Sequence, residues 1–105
     1  MANTFKSYLT SGVTTQTTVH TAPSATQTTV IGLSVANTAT SAANITVVLT
    51  RSGTNFHLIK DAPIPAADSL IVVGGDQKLV MQAGDLLRVT ASSTVDVIVS
   101  VLEVS

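Results

Sequence analysis

The chain contains no cysteine, which excludes disulfides and thiolate metal sites and suits a reducing compartment. Charge is scarce: charged residues make up 10% of its 105 positions, and the formal net charge is −1. The basic residues, Lys6, Arg51, Lys60, Lys78 and Arg88, are scattered along the chain. Binding DNA or RNA by its phosphates needs a clustered basic surface, so nucleic acid is not an expected partner. Aromatics amount to 3% (Phe5, Tyr8 and Phe56), too few for a base-stacking groove or a sugar-stacking platform. No apolar run approaches the ~20 residues of a membrane helix, and no membrane partner is expected. The opening Met1–Lys6 lacks the basic-then-apolar order of a signal peptide.

What takes the place of charge is a mixture of 17 Thr, 15 Val, 12 Ala and 11 Ser. It is rich in β-branched residues and poor in the strong helix formers Glu, Lys and Arg. The length is that of one domain, residues 1–105, able to bury a core without staples. A surface of Thr, Ser and Ala has little electrostatic repulsion to keep copies apart, which suits a subunit of an assembly.

Residues 3 to 10 place Phe5, Ser7 and Leu9 on one side of an extended segment and Lys6 and Tyr8 on the other. This reads as a first strand or as an N-terminal docking arm spanning residues 1–11, broken by Ser11-Gly12. Val13 to Thr21 reads as a polar edge strand, with Val19 its one buried residue. Thr28–Ala36 and Ile45–Thr50 alternate apolar with small or polar residues, as half-buried strands do. Ser52-Gly53-Thr54-Asn55 then predicts a hairpin to Phe56–Lys60. Asp61 to Pro65 is expected outside the sheet, because proline lacks the ladder donor. Leu70–Val73 begins a C-terminal meander through Lys78–Met81, Leu86–Thr90 and Val95–Leu102. The expected fold is all-β: a single-domain β-sandwich or jelly-roll-like barrel of about eight to nine antiparallel strands.

The last run is the most apolar. Val95, Val97, Val99 and Val101 face one way, while Ile98, Leu102 and Val104 face the other. A two-layer sandwich leaves one face of each sheet wet, so the second apolar face predicts a cover. Two covers fit: a loop over a central barrel strand, or a neighbouring subunit. Phe5, Tyr8, Ile98, Leu102 and Val104 are the candidate subunit-interface residues.

Chemistry is hard to find. His20 and His57 each stand in a strand-like run with no second histidine at ligand spacing, and are expected as surface or partly packed imidazoles. No G-x-S-x-G elbow is present. Asp61, Asp68, Asp76, Asp85, Asp96 and Glu103 contain no close pair for acid–base work. Asp76 and Asp85 each follow a glycine, as in a calcium loop or, more simply, a β-turn held by the Asp side chain. Gly74-Gly75-Asp76 lacks the remainder of a nucleotide-binding loop. Asn44-Ile45-Thr46 matches the glycosylation pattern, expected here as coincidence. No catalytic, metal-binding or cofactor-binding residue is assigned, and no enzyme is expected.

The arrangement of these runs resembles the small β-structured virion proteins of tailed bacteriophages. The likeness rests on Met1-Ala2-Asn3-Thr4, the Thr-rich first third with Pro23, and Ala36-Asn37 ending a strand. Pro65 to Leu70 leading to Gly74-Gly75, Lys78 to Met81, Gly84 to Ser92 and the closing Ser100-Val101-Leu102-Glu103 complete it. Such a resemblance implies a structural subunit made in the host cytoplasm without a signal peptide and built into the virion in many copies. The expected function is capsid decoration (cement), with the major capsid protein or other virion proteins as partners and a homo-oligomer, a trimer, as the unit. A tail, neck or fibre-attachment subunit is the alternative within this class. A host-surface glycan-binding module is the alternative outside it.

Overall fold

Val95, Val97, Val99 and Val101 are each at most 1% exposed, while Asp96, Ile98, Ser100 and Leu102 between them face away from the core. This alternation makes β9 (Val95–Val104) the central strand of one sheet. The protein, a computed structural model, is described at residues 3–74 and 77–104. Met1, Ala2, Gly75, Asp76 and Ser105 lie outside the described residues.

The other strands are β1 (Asn3–Val13), β2 (Thr17–Thr21), β3 (Gln27–Asn37), β4 (Ala43–Arg51), β5 (Thr54–Ile64), β6 (Ser69–Val73), β7 (Leu79–Met81) and β8 (Leu86–Ala91). One sheet runs β1-β9-β3-β6, with β7 also paired to β3, and the second runs β2-β8-β4-β5. All pairs are antiparallel. With β6 and β7 counted as one position, the pairs nest like a long folded hairpin: β4 with β5, β3 with β6/β7, β2 with β8, β1 with β9. Rolling that hairpin brings β3 against β9 and β4 against β8. The result is a jelly-roll-like sandwich, in the double Greek key order.

The core between the sheets is aliphatic. Its largest fully buried side chains are Leu33, Ile45, Ile64, Met81 and Leu87, surrounded by valines from β3, β4, β8 and β9. No aromatic is among its buried members, although Tyr8 packs against it from β1. β-branched residues suit both the extended backbone and this packing.

Three sequence expectations are corrected. The last four runs form no meander: β6 and β7 pair with β3, β8 with β2 and β4, and β9 with β1 and β3. Ser11-Gly12 does not end β1. Gly12 takes φ +70° inside a register shift between Thr10 and Val13, and the strand continues to Val13. Nor do Asp61 to Ile64 leave the sheet: Pro63 pairs opposite Asn44 in β5. β5 is an edge strand, where a residue without an N–H is tolerated on the solvent side.

Candidate interaction face

Alternation on β1 sends Phe5, Ser7 and Leu9 to the outer face of the β9 sheet, and register fixes their neighbours. Phe5 stands opposite Leu102, Ser7 opposite Ser100, and Leu9 opposite Ile98. On the far side of β9, Leu102 meets Thr29, which itself stands opposite Val80. Ser100 meets Gly32, and Ile98 meets Ser34, which stands opposite Ile71. The outer face therefore carries two largely apolar ridges across the strands, Phe5–Leu102–Val80 and Leu9–Ile98–Ile71, each crossed at β3 by one polar residue, Thr29 or Ser34. Between them runs a trough of Ser7, Ser100 and Gly32.

Of the six most exposed large apolar side chains among the described residues, Phe5, Leu9, Ile71, Val80 and Ile98 lie on this one face. The sixth, Phe56, is on β5 in the other sheet. Phe5 and Leu9 are 73% and 72% exposed. Within the described chain, no loop covers the second apolar side of β9. Clustered apolar exposure of this kind marks an interaction surface, whereas scattered single residues do not.

Of the residues singled out from the sequence, Phe5, Ile98, Leu102 and Val104 share this side of the sheet. Tyr8 does not. It stands at an even position of β1, faces inward, and donates its hydroxyl to Glu103 Oε2 at 2.5 Å. A phenol hydroxyl turned inward needs such an acceptor. Glu103 Oε1 lies 3.3 Å from Lys6 Nζ. The Tyr8 hydrogen bond, with help from Lys6, holds the Glu103 carboxyl below the usual carboxylate range, and the same bond pushes Tyr8 up to about 12.

The Tyr8 ring also packs on the His20 imidazole, centroids 4.3 Å apart at 40°. His20 is not at the surface: it is 4% exposed, with Nε2 unpartnered. A register shift between Thr18 and His20 turns it toward the core opposite Leu87. Burial lowers its pKa, with the Glu103 charge opposing. Lys6, Tyr8, His20 and Glu103 thus form a polar cluster near the β1 edge of the sandwich. Two of its members are exposed or half-exposed, and its carboxylate is already taken by a tyrosine and a lysine. The arrangement joins β1 to β9 and β2.

His57 is exposed on β5, and β8 and β4 separate it from His20 on β2. Asp85 is 2% exposed and bound by Arg51 through Nε and Nη2, at 2.9 and 2.6 Å. It also accepts the Gln82 N–H, closing the turn before β8. The Arg51 hydrogen bonds hold Asp85 below its ordinary pKa. It is the turn aspartate of the simpler expectation, with an arginine where a calcium loop would need further oxygens. Asp76, its counterpart, lies outside the described residues. No three His, Asp or Glu side chains stand together as a metal-ligand set among the described residues. Asn44 is exposed at the start of β4, and its backbone N–H is bound to Ser92 Oγ.

No family model matches the sequence, and no curated protein does. Among solved structures, the chain is similar to the crystal structure of a pentameric capsid protein isolated from metagenomic phage sequences, at 18% identity and a TM-score of 0.43. The alignment covers 92% of this chain and 59% of that one, so this chain spans under two-thirds of that protein's length.

Proposed function

We propose that the chain is a structural subunit of a bacteriophage particle, and within that class a capsid decoration (cement) protein. It acts by burying the two-ridged outer face of the β9 sheet against a neighbour in the virion, the major capsid protein or another virion protein. The observation that carries this reading is the clustering of Phe5, Leu9, Ile71, Val80 and Ile98 on a single sheet face. The phage assignment itself rests on the sequence resemblance, since a fold does not fix a function. The homo-oligomer expected is a trimer over junctions of the shell.

The dispersal of the aromatics weighs against a glycan-binding module. Phe5 is on the outer face of one sheet, Tyr8 is turned inward, and Phe56 is on the other sheet. No flat platform of rings can form from them.

The test is reconstitution. Purified protein is added to particles lacking it, and bound copies and head stability are measured, together with native mass. Saturable binding at threefold positions that raises resistance to heat or chelator supports the decoration reading. A native mass of six or twelve copies, with attachment at the tail, replaces it with the tail or neck alternative. Absence of the chain from purified virions ends the virion reading altogether.

A further inference from the structure

The sandwich has four sheet edges, and three of them are blunted. β5 carries Pro63, a positive φ at Asp61 and two register shifts against β4. β2 has five residues interrupted by a shift. The β6/β7 edge is made of a five-residue and a three-residue strand, with a shift in β6. β1 differs. Asn3 to Thr10 pair with Val104 to Val97 without interruption, with no proline and no positive φ before Gly12. Its other side is open, and residues 3–7 are exposed on both faces. A long, regular edge of this kind is a template for another strand.

We propose that this edge pairs with the β1 edge of a second copy, antiparallel, across a two-fold axis perpendicular to the sheet. The inference rests on the reading of the chain as an assembling subunit and names one of its contacts.

The β1 sequence selects the partner and the register. A two-fold antiparallel pair sets residues of like face opposite one another, so the axis must pass through a residue position. Centring on Lys6 would place two ammonium groups opposite each other and set Phe5 against Ser7. Centring on Ser7 sets Ser7 against Ser7 of the second copy, Phe5 against its Leu9 twice over, and Lys6 against its Tyr8. These are an aromatic–aliphatic pair and a cation beside an aromatic ring, both favourable across strands.

The second register also joins the apolar ridges. The band Val80–Leu102–Phe5 of one copy continues into Leu9–Ile98–Ile71 of the other, and its mate runs the opposite way. At ~4.8 Å per strand, each band crosses eight strands over roughly 34 Å. The contact is two-fold, so it links neighbouring trimers or two lone copies and leaves a threefold interface elsewhere. Edge pairing alone lies at the weak end of specific interfaces, below ~1,200 Å². Trapping is therefore the suitable measurement.

The chain has no native thiol, so Ser7→Cys introduces a single one at the axis. Directly opposed residues in an antiparallel pair have Cα atoms ~4.5–5.5 Å apart, within disulfide range. Under diamide, Ser7→Cys should give covalent dimer roughly tenfold or more faster than the exposed turn variant Ser52→Cys, because the paired thiols have a high effective concentration. A Phe5→Cys/Leu9→Cys variant should trap the same dimer through two bonds, which guards against a local effect at Ser7. Circular dichroism confirms that each variant is folded. Equal rates for Ser7→Cys and Ser52→Cys, or preferential trapping by Lys6→Cys, would overturn the proposed pairing. If wild-type protein still binds particles in that case, the edge contact has failed and the virion reading has not.

Discussion

A buried imidazole with an unpartnered nitrogen costs more when it must carry charge, and His20 is placed to set the first acid limit of this fold. Its pKa is lowered in the folded chain, mainly by burial, while Glu103 opposes from across the Tyr8 ring and Lys6 competes for that carboxylate. The folded state therefore favours neutral His20. Stability is complete above the unfolded value of 6.5 and falls as pH drops from there toward the folded pKa. Asp85 and Glu103 act in a lower window. Their folded pKa values are depressed, so their contribution is present above about pH 4 and is lost below it. His20→Phe keeps a ring against Tyr8 and removes the titrating nitrogen. The loss of thermal midpoint between pH 7 and pH 5 should shrink in this variant, while the steeper loss below pH 4 remains. An unchanged slope between pH 7 and 5 would mean that another group sets the first limit. Alternation alone set Tyr8 on the other side of β1 from Phe5 and Leu9, but not which side faces in, and Tyr8 stood among the interface candidates. The burial of His20 was not legible, because it depends on a register shift that leaves no mark in a Thr-rich run. The inward turn of Tyr8 was not legible either, because its Glu103 partner lies 95 residues away, beyond any local pattern.

Elements are held in place by polar staples that composition does not announce. Asn37, at the end of β3 and 2% exposed, is one of them. Its Nδ2 donates to the carbonyls of Ser41 and Ile64 at 2.9 and 3.0 Å, and its Oδ1 accepts the Ala39 N–H at 2.9 Å. One side chain thus folds the link between β3 and β4 and fixes the exit of β5. Asn37→Ala would remove the donor from the buried Ile64 carbonyl and the partners of the part-buried Ser41 carbonyl and Ala39 N–H. It should cost roughly 2–4 kcal/mol, read as a lower denaturant midpoint at constant slope. A cost below ~1 kcal/mol would show that water replaces these bonds readily. Asn37 is legible as a strand end, but a side chain spanning 27 positions to Ile64 is not. The extent of β5 was missed for a related reason: Pro63 reads as a breaker unless the strand is known to be an edge, and edges are decided by topology.

At the scale of the whole molecule, the aliphatic core and the outer face of the β9 sheet have separable energetics. Val95, Val97, Val99 and Val101 stabilise the fold, and their alternation with Ile98 and Leu102 was the clearest signal in the sequence. That alternation identified a second apolar side but not its cover, because a loop and a neighbour leave the same trace in one chain. Ile98 is 49% exposed, so removing its apolar surface forfeits little on folding. Ile98→Asp should change unfolding free energy by no more than about 1 kcal/mol, a little above the usual surface range because strand propensity also falls. It should raise solubility, since it breaks the Leu9–Ile98–Ile71 ridge with a charge. Under the virion reading the same change should abolish attachment to particles, because an unpaired carboxylate buried against a neighbour costs far more than the lost methyl groups gain. Val99→Asp provides the opposite control, as a charge in the closed core should unfold the chain. Ile98→Asp protein that is stable, more soluble and still attached at wild-type occupancy would remove this face from the interface. Attachment would then have to be sought at the β5 side of the molecule, around Phe56.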